Sequence, residues 1–290
     1  MNRSEPLFEH AHIKQHFSKA AQTYLAAATL QRDVELRLLE HADYLEQAPR
    51  RILDLGSGPG RAAGMLKKRW PKAEVVAIDL ALPMLRQVKQ HTRFWRPVKR
   101  VCGNALQLPF TDSSFDFVFS SLCLQWVNPL PDALKEIRRV LKAEGMLAFT
   151  TFGPDTLIEL REAYLAIGET PSVSPFAAIQ QVGDGLQASG FYNNVLDREN
   201  FTMGYTDLRA LMQELHAIGA TDARSGRRRG LMGKTRWQAL NAAYPKHAER
   251  IQSTWEVITA MAFKRADRTD MPDDMVAAIP LDQISRRTPR

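Results

Sequence analysis

The sequence predicts a doubly wound α/β fold: a mostly parallel, seven-stranded sheet with helices on both faces, an N-terminal helical cap and helical insertions late in the chain. Three observations carry this. Five short apolar runs rich in Val, Ile, Phe and Leu lie between residues 51 and 152, each ending near Gly, Asp or Ser. Amphipathic segments separate most of them, and two further strand candidates follow much later. Strands that alternate with helices build a parallel sheet covered on both sides.

Residues 1–47 read as helix. They are alanine-rich, broken only by Pro6 near the start, and from Ala20 to Glu46 they place Leu30, Val34, Leu38 and Leu45 at helical spacing. The five strands are RILDLG, EVVAIDL, VKRVCG, FDFVFSSL and GMLAFTTF; the helices between them are RAAGMLKKRW, ALPMLRQVKQH and DALKEIRRVLK, with Pro83, Pro129 and Pro131 near helix starts. Met65, Met84 and Phe94 fall at helical spacing and are read as core. Residues 48–152 thus form the heart of a domain running to about 264. Beyond it come the helices PDTLIELREAYLAIG, FAAIQQVGDGLQASG and TDLRALMQELHAIG, in insertions spanning about 154–190 and 206–250. The strands NNVLDRENFTMGY and TWEVITAMAF complete the sheet at its edge. Residues 265–290 lack hydrophobic periodicity and read as a disordered tail.

Composition excludes whole classes. A chain of 290 residues that is 44% hydrophobic and 24% charged is neither a disordered tail, a collagen-like repeat nor a small disulfide scaffold. Its two cysteines, Cys102 and Cys123, make no disulfide framework, which fits a reducing compartment. No apolar run approaches the roughly 20 residues that span a bilayer, and MNRSEPLFEH lacks the apolar core of a secretion signal, so a cytoplasmic protein is expected. The net charge of +7 leaves room for an acidic partner: nucleic acid, an anionic membrane or an acidic protein.

The segment ILDLGSGPG, Ile52–Gly60, joins the first strand to the first helix behind it. Gly56, Gly58 and Gly60 permit a sharp turn and close approach of a ligand at the carboxyl edge of the sheet. The spacing is G-x-G-x-G, which differs from the dinucleotide fingerprint. Asp79 closes the second strand, where a carboxylate can accept hydrogen bonds from both hydroxyls of a ribose. Asp54 precedes the loop; an anion there serves a ligand with an amino group better than a phosphate. The pocket therefore favours a nucleoside joined to an amino acid.

At this point the chain resembles the class I S-adenosylmethionine-dependent methyltransferases, whose fold is Rossmann-like. The glycine loop with Ser57 matches the family's binding motif for the methionine portion of the cofactor, and Asp79, followed by Leu80, matches its ribose-binding acid. GNALQLPF, residues 103–110, is similar to the family's G-D-A-x-x-L-P-F, with Asn104 in the acidic position beside Ala105; the amide oxygen still accepts the adenine amino group, without charge. FDFVFSSLCLQWV, containing Ser120, resembles the fourth strand and its loop. By this resemblance Asp54, Gly56, Ser57, Gly58, Gly60, Asp79, Leu80, Asn104, Ala105 and Ser120 bind S-adenosylmethionine, and no metal is implied.

Further segments narrow the family. FSKAAQTYLAAATLQRDVELRLL resembles the N-terminal cap of the malonyl-acyl-carrier-protein O-methyltransferases of biotin synthesis. Gln125 with Trp126, TTFGPDTLIELREA and LHAIGATDARSGRRRGLMGKTRWQALNAAY resemble the same family. The resemblance implies methylation of the free malonyl carboxylate. A carboxylate needs no general base, so cations matter more than a catalytic His, and the seven histidines are read as surface or packing residues. Arg227, Arg228 and Arg229, in a glycine-flanked loop, are candidates for holding that carboxylate or for meeting the acidic carrier protein or its phosphate. Tyr24 in the cap, and Gln125 and Trp126 beside the methyl group, are the catalytic candidates. No nucleic-acid motif is recognised and no membrane segment is read. The basic groups at Arg138 and Arg139 and at 227–234 then point to an acidic acyl carrier protein. Rival readings are a methyltransferase for another small acid or a quinone precursor, and a non-catalytic assembly factor that keeps the fold.

Overall fold

In the computed structural model the described residues are 10–220, 233–246 and 250–266. Seven strands form one sheet in the order β3-β2-β1-β4-β5-β7-β6. The strands are β1 (Arg51–Leu55), β2 (Glu74–Asp79), β3 (Lys99–Cys102), β4 (Phe115–Ser120), β5 (Leu141–Phe152), β6 (Phe191–Tyr205) and β7 (Ile251–Lys264). The first five are parallel, while β7 runs antiparallel to both β5 and β6. The expected fold class is therefore the observed one, and the chain reverses its strand order at β1, with β2 on one side and β4 on the other. At such a point the strand ends leave an open crevice.

Period-two alternation explains why the central strands are apolar throughout. In β1, Ile52 faces Leu38 of α3 (Thr29–Glu40) and Ala62, Ala63 and Leu66 of α4 (Arg61–Arg69), all buried. The next residue, Leu53, faces Leu134 and Ile137 of α6 (Leu130–Val140) and Val182 and Leu186 of α8 (Ile179–Ala188). Phe117 and Phe119 are fully buried on the α3/α4 side. Each such side chain contributes roughly 1.5–3 kcal/mol by leaving water. A third apolar cluster covers the far end of the sheet, where Phe152 and Trp255 meet α7 (Ile158–Ala166), α9 (Leu208–Ala217) and α10 (Lys234–Ala243).

Four details depart from the sequence reading. The N-terminal stretch is not one long helix: α1 (His10–Ala20) and α2 (Tyr24–Ala27) precede α3, separated by a turn at Thr23 and a non-helical Ala28. Thr23 Oγ1 donates to Ala20 O and to Ala217 O, so the break is fixed from across the molecule. Phe94 is 96% exposed instead of core, because the helical turns begun by α5 (Leu82–Gln87) end at His91 and Phe94 sits in a tight turn between Arg93 and Arg96. Arg139 is no free docking cation: it binds Glu136 and Asp112 and donates to Leu108 O and Phe110 O. Arg138 reaches Gly190 O. Finally, β5 begins at Leu141, directly after α6. Among the described residues no helix is long and apolar enough to cross a membrane. The tail beyond Ala266 lies outside the described residues.

Candidate active site

The chain leaves β1 at Leu55 and turns through Gly56, Ser57, Gly58, Pro59 and Gly60 into α4. Two glycines have distinct reasons to be there. Gly56 has φ +71°, and a Cβ on it would stand 2.2 Å from Cys123 Sγ. Gly58 has φ +52° with nothing within 4 Å of its absent Cβ, so its backbone borders open space. The loop is tied to β2: Gly56 N–H and Ser57 N–H both donate to Ile78 O at 2.8 and 3.0 Å. Gly58 N–H donates to Asp79 Oδ2 at 2.9 Å, and Ala81 N–H donates to Asp79 Oδ1 at 2.7 Å. Two backbone donors thus aim the Asp79 carboxylate along the crevice, with lone pairs left over for hydroxyl donors.

Above this floor lies a cavity of about 760 Å³, its mouth included. Ile78, Asp79 and Leu80 line one side, Asn104 and Ala105 another, and Leu122, Cys123 and Trp126 a third, while Phe17 and Tyr24 roof it from the cap. A recess of about 500 Å³ shares Tyr24, Gly56, Gly58 and Ser121 with it and reaches Glu35, Asp54, Ser57 and Arg61. The cap is held in place by Thr23 on α9 and by Gln87 of α5, whose amide donates to Ala21 O.

The charge balance of this double space is informative. Asp54 is 2% exposed and its Oδ2 has no partner; burial pushes its carboxyl well up, with Glu35 adding to the effect. Burial pushes Glu35 up to about 7, although Arg61, 3.0 Å away, pulls the other way. Asp79 is also raised by burial, against the pull of its backbone donors. Three acids therefore border the space, against Arg61 and Arg32, and Arg32 turns toward Thr29 Oγ1. A ligand bringing positive charge to Asp54 and hydroxyls to Asp79 satisfies what the protein leaves unsatisfied. Burial also raises the Tyr24 phenol, which stays protonated as a donor, and the Cys123 thiol, to about 12. Cys123 is accordingly a neutral packing residue against Gly56 and no nucleophile.

The model of a family described as a methyltransferase domain matches residues 53–149. A malonyl-acyl-carrier-protein O-methyltransferase of Xylella fastidiosa is 45% identical over 97% of both chains. One from Gallionella capsiferriformans is 40% identical over 89% of this chain and 92% of its own. The chain belongs to the malonyl-acyl-carrier-protein O-methyltransferase family. Its relatives favour neither rival reading; it is an enzyme, and its cofactor is S-adenosylmethionine. The fold is shared with the YcgJ protein of Bacillus subtilis, at TM-score 0.56 and 16% identity over 79% of this chain and 98% of that one. It is shared too with the Haemonchus contortus phosphoethanolamine N-methyltransferase 2 solved with S-adenosyl-L-methionine, at TM-score 0.51 and 20% identity, covering 80% and 52%.

Against this family the residues singled out by sequence fall into three groups. Tyr24, Asp54, Gly56, Ser57, Gly58, Asp79, Leu80, Asn104, Ala105 and Trp126 line the cavity or its recess. Gly60, Ser120 and Gln125 line neither. Gly60 caps α4 against Val88. Ser120 is fully buried and donates to Leu55 O at 2.9 Å, locking β4 to β1; the next residue, Ser121, takes the place at the cavity wall that was expected of it. Gln125 Nε2 donates to Leu122 O at 2.7 Å across the 3-10 turn that presents Trp126, which makes it a brace of that turn. Asn104 Oδ1 already accepts from Leu106 N–H, with one lone pair to spare. Arg227, Arg228 and Arg229 lie outside the described residues.

Sequence reading missed Glu35 and Arg61. One signal was available: Arg61 opens α4, where the helix dipole disfavours a cation, so an arginine there calls for a nearby carboxylate.

Proposed function

We propose that this protein transfers the methyl group of S-adenosylmethionine to the free carboxylate of a malonyl thioester on acyl carrier protein, giving the methyl ester that fatty-acid elongation carries toward the pimeloyl group of biotin. The observation that carries this reading is the Asp79 carboxylate, aimed by Gly58 and Ala81 beneath the Tyr24 and Trp126 roof, in a chain of this family. When bound, the cofactor supplies an electrophilic methyl group. The protein's part is to place and to shield.

Asp79 accepts the ribose hydroxyls, Asp54 with Glu35 balances the positive charge, and Asn104 accepts the adenine amino group. Tyr24, kept protonated, donates to a carboxylate in the cavity. Trp126, packed edge-on against Phe17 at 5.7 Å between ring centres, excludes water from the reacting end. The malonyl carboxylate is already anionic at neutral pH and needs no base. Residues 1–47 act as the cap and 48–264 as the catalytic body. The arginines at 227–229 hold the malonyl carboxylate or meet an acidic carrier protein in the cytoplasm, a role that rests on their sequence alone.

Incubation with methyl-labelled S-adenosylmethionine and malonyl-carrier protein should yield a base-labile ester that releases labelled methanol. Label that stays in the cofactor under these conditions overturns the substrate assignment.

A further inference from the structure

Behind Trp126 lies a second space of about 880 Å³, mouth included, that has no part in holding the cofactor. Trp126 belongs to its wall and to the wall of the cofactor cavity, so the two spaces meet at one side chain. Its inner wall is buried and aromatic, with Phe152 and Trp255 at 3% and 2% exposure. Its rim is open to solvent at Ser172 and His216. Among the described residues no Asp, Glu, Lys or Arg lines it. Neutral polar groups do: the Ser174 hydroxyl, buried at 6% exposure, and Tyr164 lie among Val173, Leu160, Met212 and Leu215.

This lining sorts the parts of a malonyl thioester. Among the described lining residues a free carboxylate meets no Lys or Arg, and against that wall it would lose its hydration without compensation. A thioester followed by methylenes and neutral amides suits an apolar wall with scattered hydroxyls, because such groups need single hydrogen bonds and no countercharge. We propose that the chamber behind Trp126 binds the pantetheine arm of the substrate, with the thioester at Trp126, the amides along Tyr164 and Ser174, and the arm leaving past Ser172 and His216. The apolar chamber then sets substrate polarity: it turns the charged end of the acyl group toward the cofactor cavity and keeps the neutral arm out of it. This rests on the thioester reading of the substrate, yet it concerns the arm and not the malonyl group.

The test uses acetyl-pantetheine, which carries the thioester and the arm but no carboxylate, titrated calorimetrically into the full-length protein saturated with S-adenosylhomocysteine. Binding is expected to weaken tenfold or more in Met212→Trp, which fills the chamber, while S-adenosylhomocysteine affinity stays that of the parent. Ala220→Trp, at another point of the same wall, serves if the first variant does not fold. Acetyl-coenzyme A and acetyl-carrier protein separate the two sources of the arm; weakening by the same variants with either one supports the assignment. Equal affinity in parent and filled variants, or no binding to the parent, overturns it. Loss of methyl transfer to malonyl-carrier protein with acetyl-pantetheine binding intact would displace the malonyl assignment and leave the arm site standing.

Discussion

The two spaces on either side of Trp126 are built by opposite means. The cofactor cavity is polar at its floor and assembled from neighbouring turns: Gly56 and Ser57 on Ile78 O, Gly58 on Asp79. The chamber is apolar and assembled from distant elements, α7, α9, β7 and the segment before α8. The first keeps three acids short of countercharge, so its affinity is electrostatic and pH-sensitive. The second is lined by no Asp, Glu, Lys or Arg among the described residues, so it selects by shape and desolvation.

That contrast can be broken most forcefully at Gly56. Gly56→Ala puts a Cβ against Cys123 at a positive φ and is expected to cost about 3 kcal/mol or more, read as a fall in thermal stability with loss of S-adenosylhomocysteine binding. A variant with parent stability would mean the floor is far softer than its hydrogen bonds imply. Asp79→Ala should weaken cofactor binding by about 1–3 kcal/mol in calorimetry, since a charge-assisted acceptor is lost, and should leave acetyl-pantetheine affinity alone. A parallel loss of both affinities would merge the two spaces into one.

The next effect is one of pH. Burial pushes Glu35 up to about 7, and a cationic ligand lowers it by favouring the carboxylate. Through Glu35, binding therefore releases a proton below pH 7: this group's contribution to affinity is full above pH 7 and falls as the pH drops, by about tenfold at pH 6 where the bound form stays ionised. Glu35→Gln should flatten that profile between pH 6 and 8, and an unchanged slope would move the titration to another group. The smallest effect belongs to Ser120→Ala, expected to cost about 1 kcal/mol of stability with cofactor affinity unchanged, because its hydroxyl serves Leu55 O and faces no cavity.

What sequence made legible follows the same divide. The glycine loop, Asp79 and the five parallel strands are written in local pattern, where period two and turn glycines carry the signal, and all lie where that pattern puts them. The break in the cap is not written there. It depends on Thr23 meeting Ala217, 194 positions later, and an alanine-rich stretch with regular leucines has no local reason to stop. Phe94 misled for a related reason: helical spacing continues through it on paper, although the turn at Arg93–Arg96 has already ended the helix. Arg139 looked like surface charge because all its partners but Glu136, namely Asp112 and two carbonyls, sit 27 to 31 positions upstream. The chamber has no motif at all, since its wall is gathered from residues 126 to 255.

The clasp between Thr23 and Ala217 also bears on the order in which the molecule is made. Ala20 and Phe17 pack within 3.2 Å of where a Cβ on Gly219 would lie, so the cap's resting place is defined in part by residues some two hundred positions further along. A ribosome adding about 5–20 residues per second finishes the strand-and-loop floor at Val127 well before α9 emerges. During that interval the cap has its fastening to α5 through Gln87 and Ala21 but not its clasp on α9, so the roof gains its second hold only when the last third of the protein arrives.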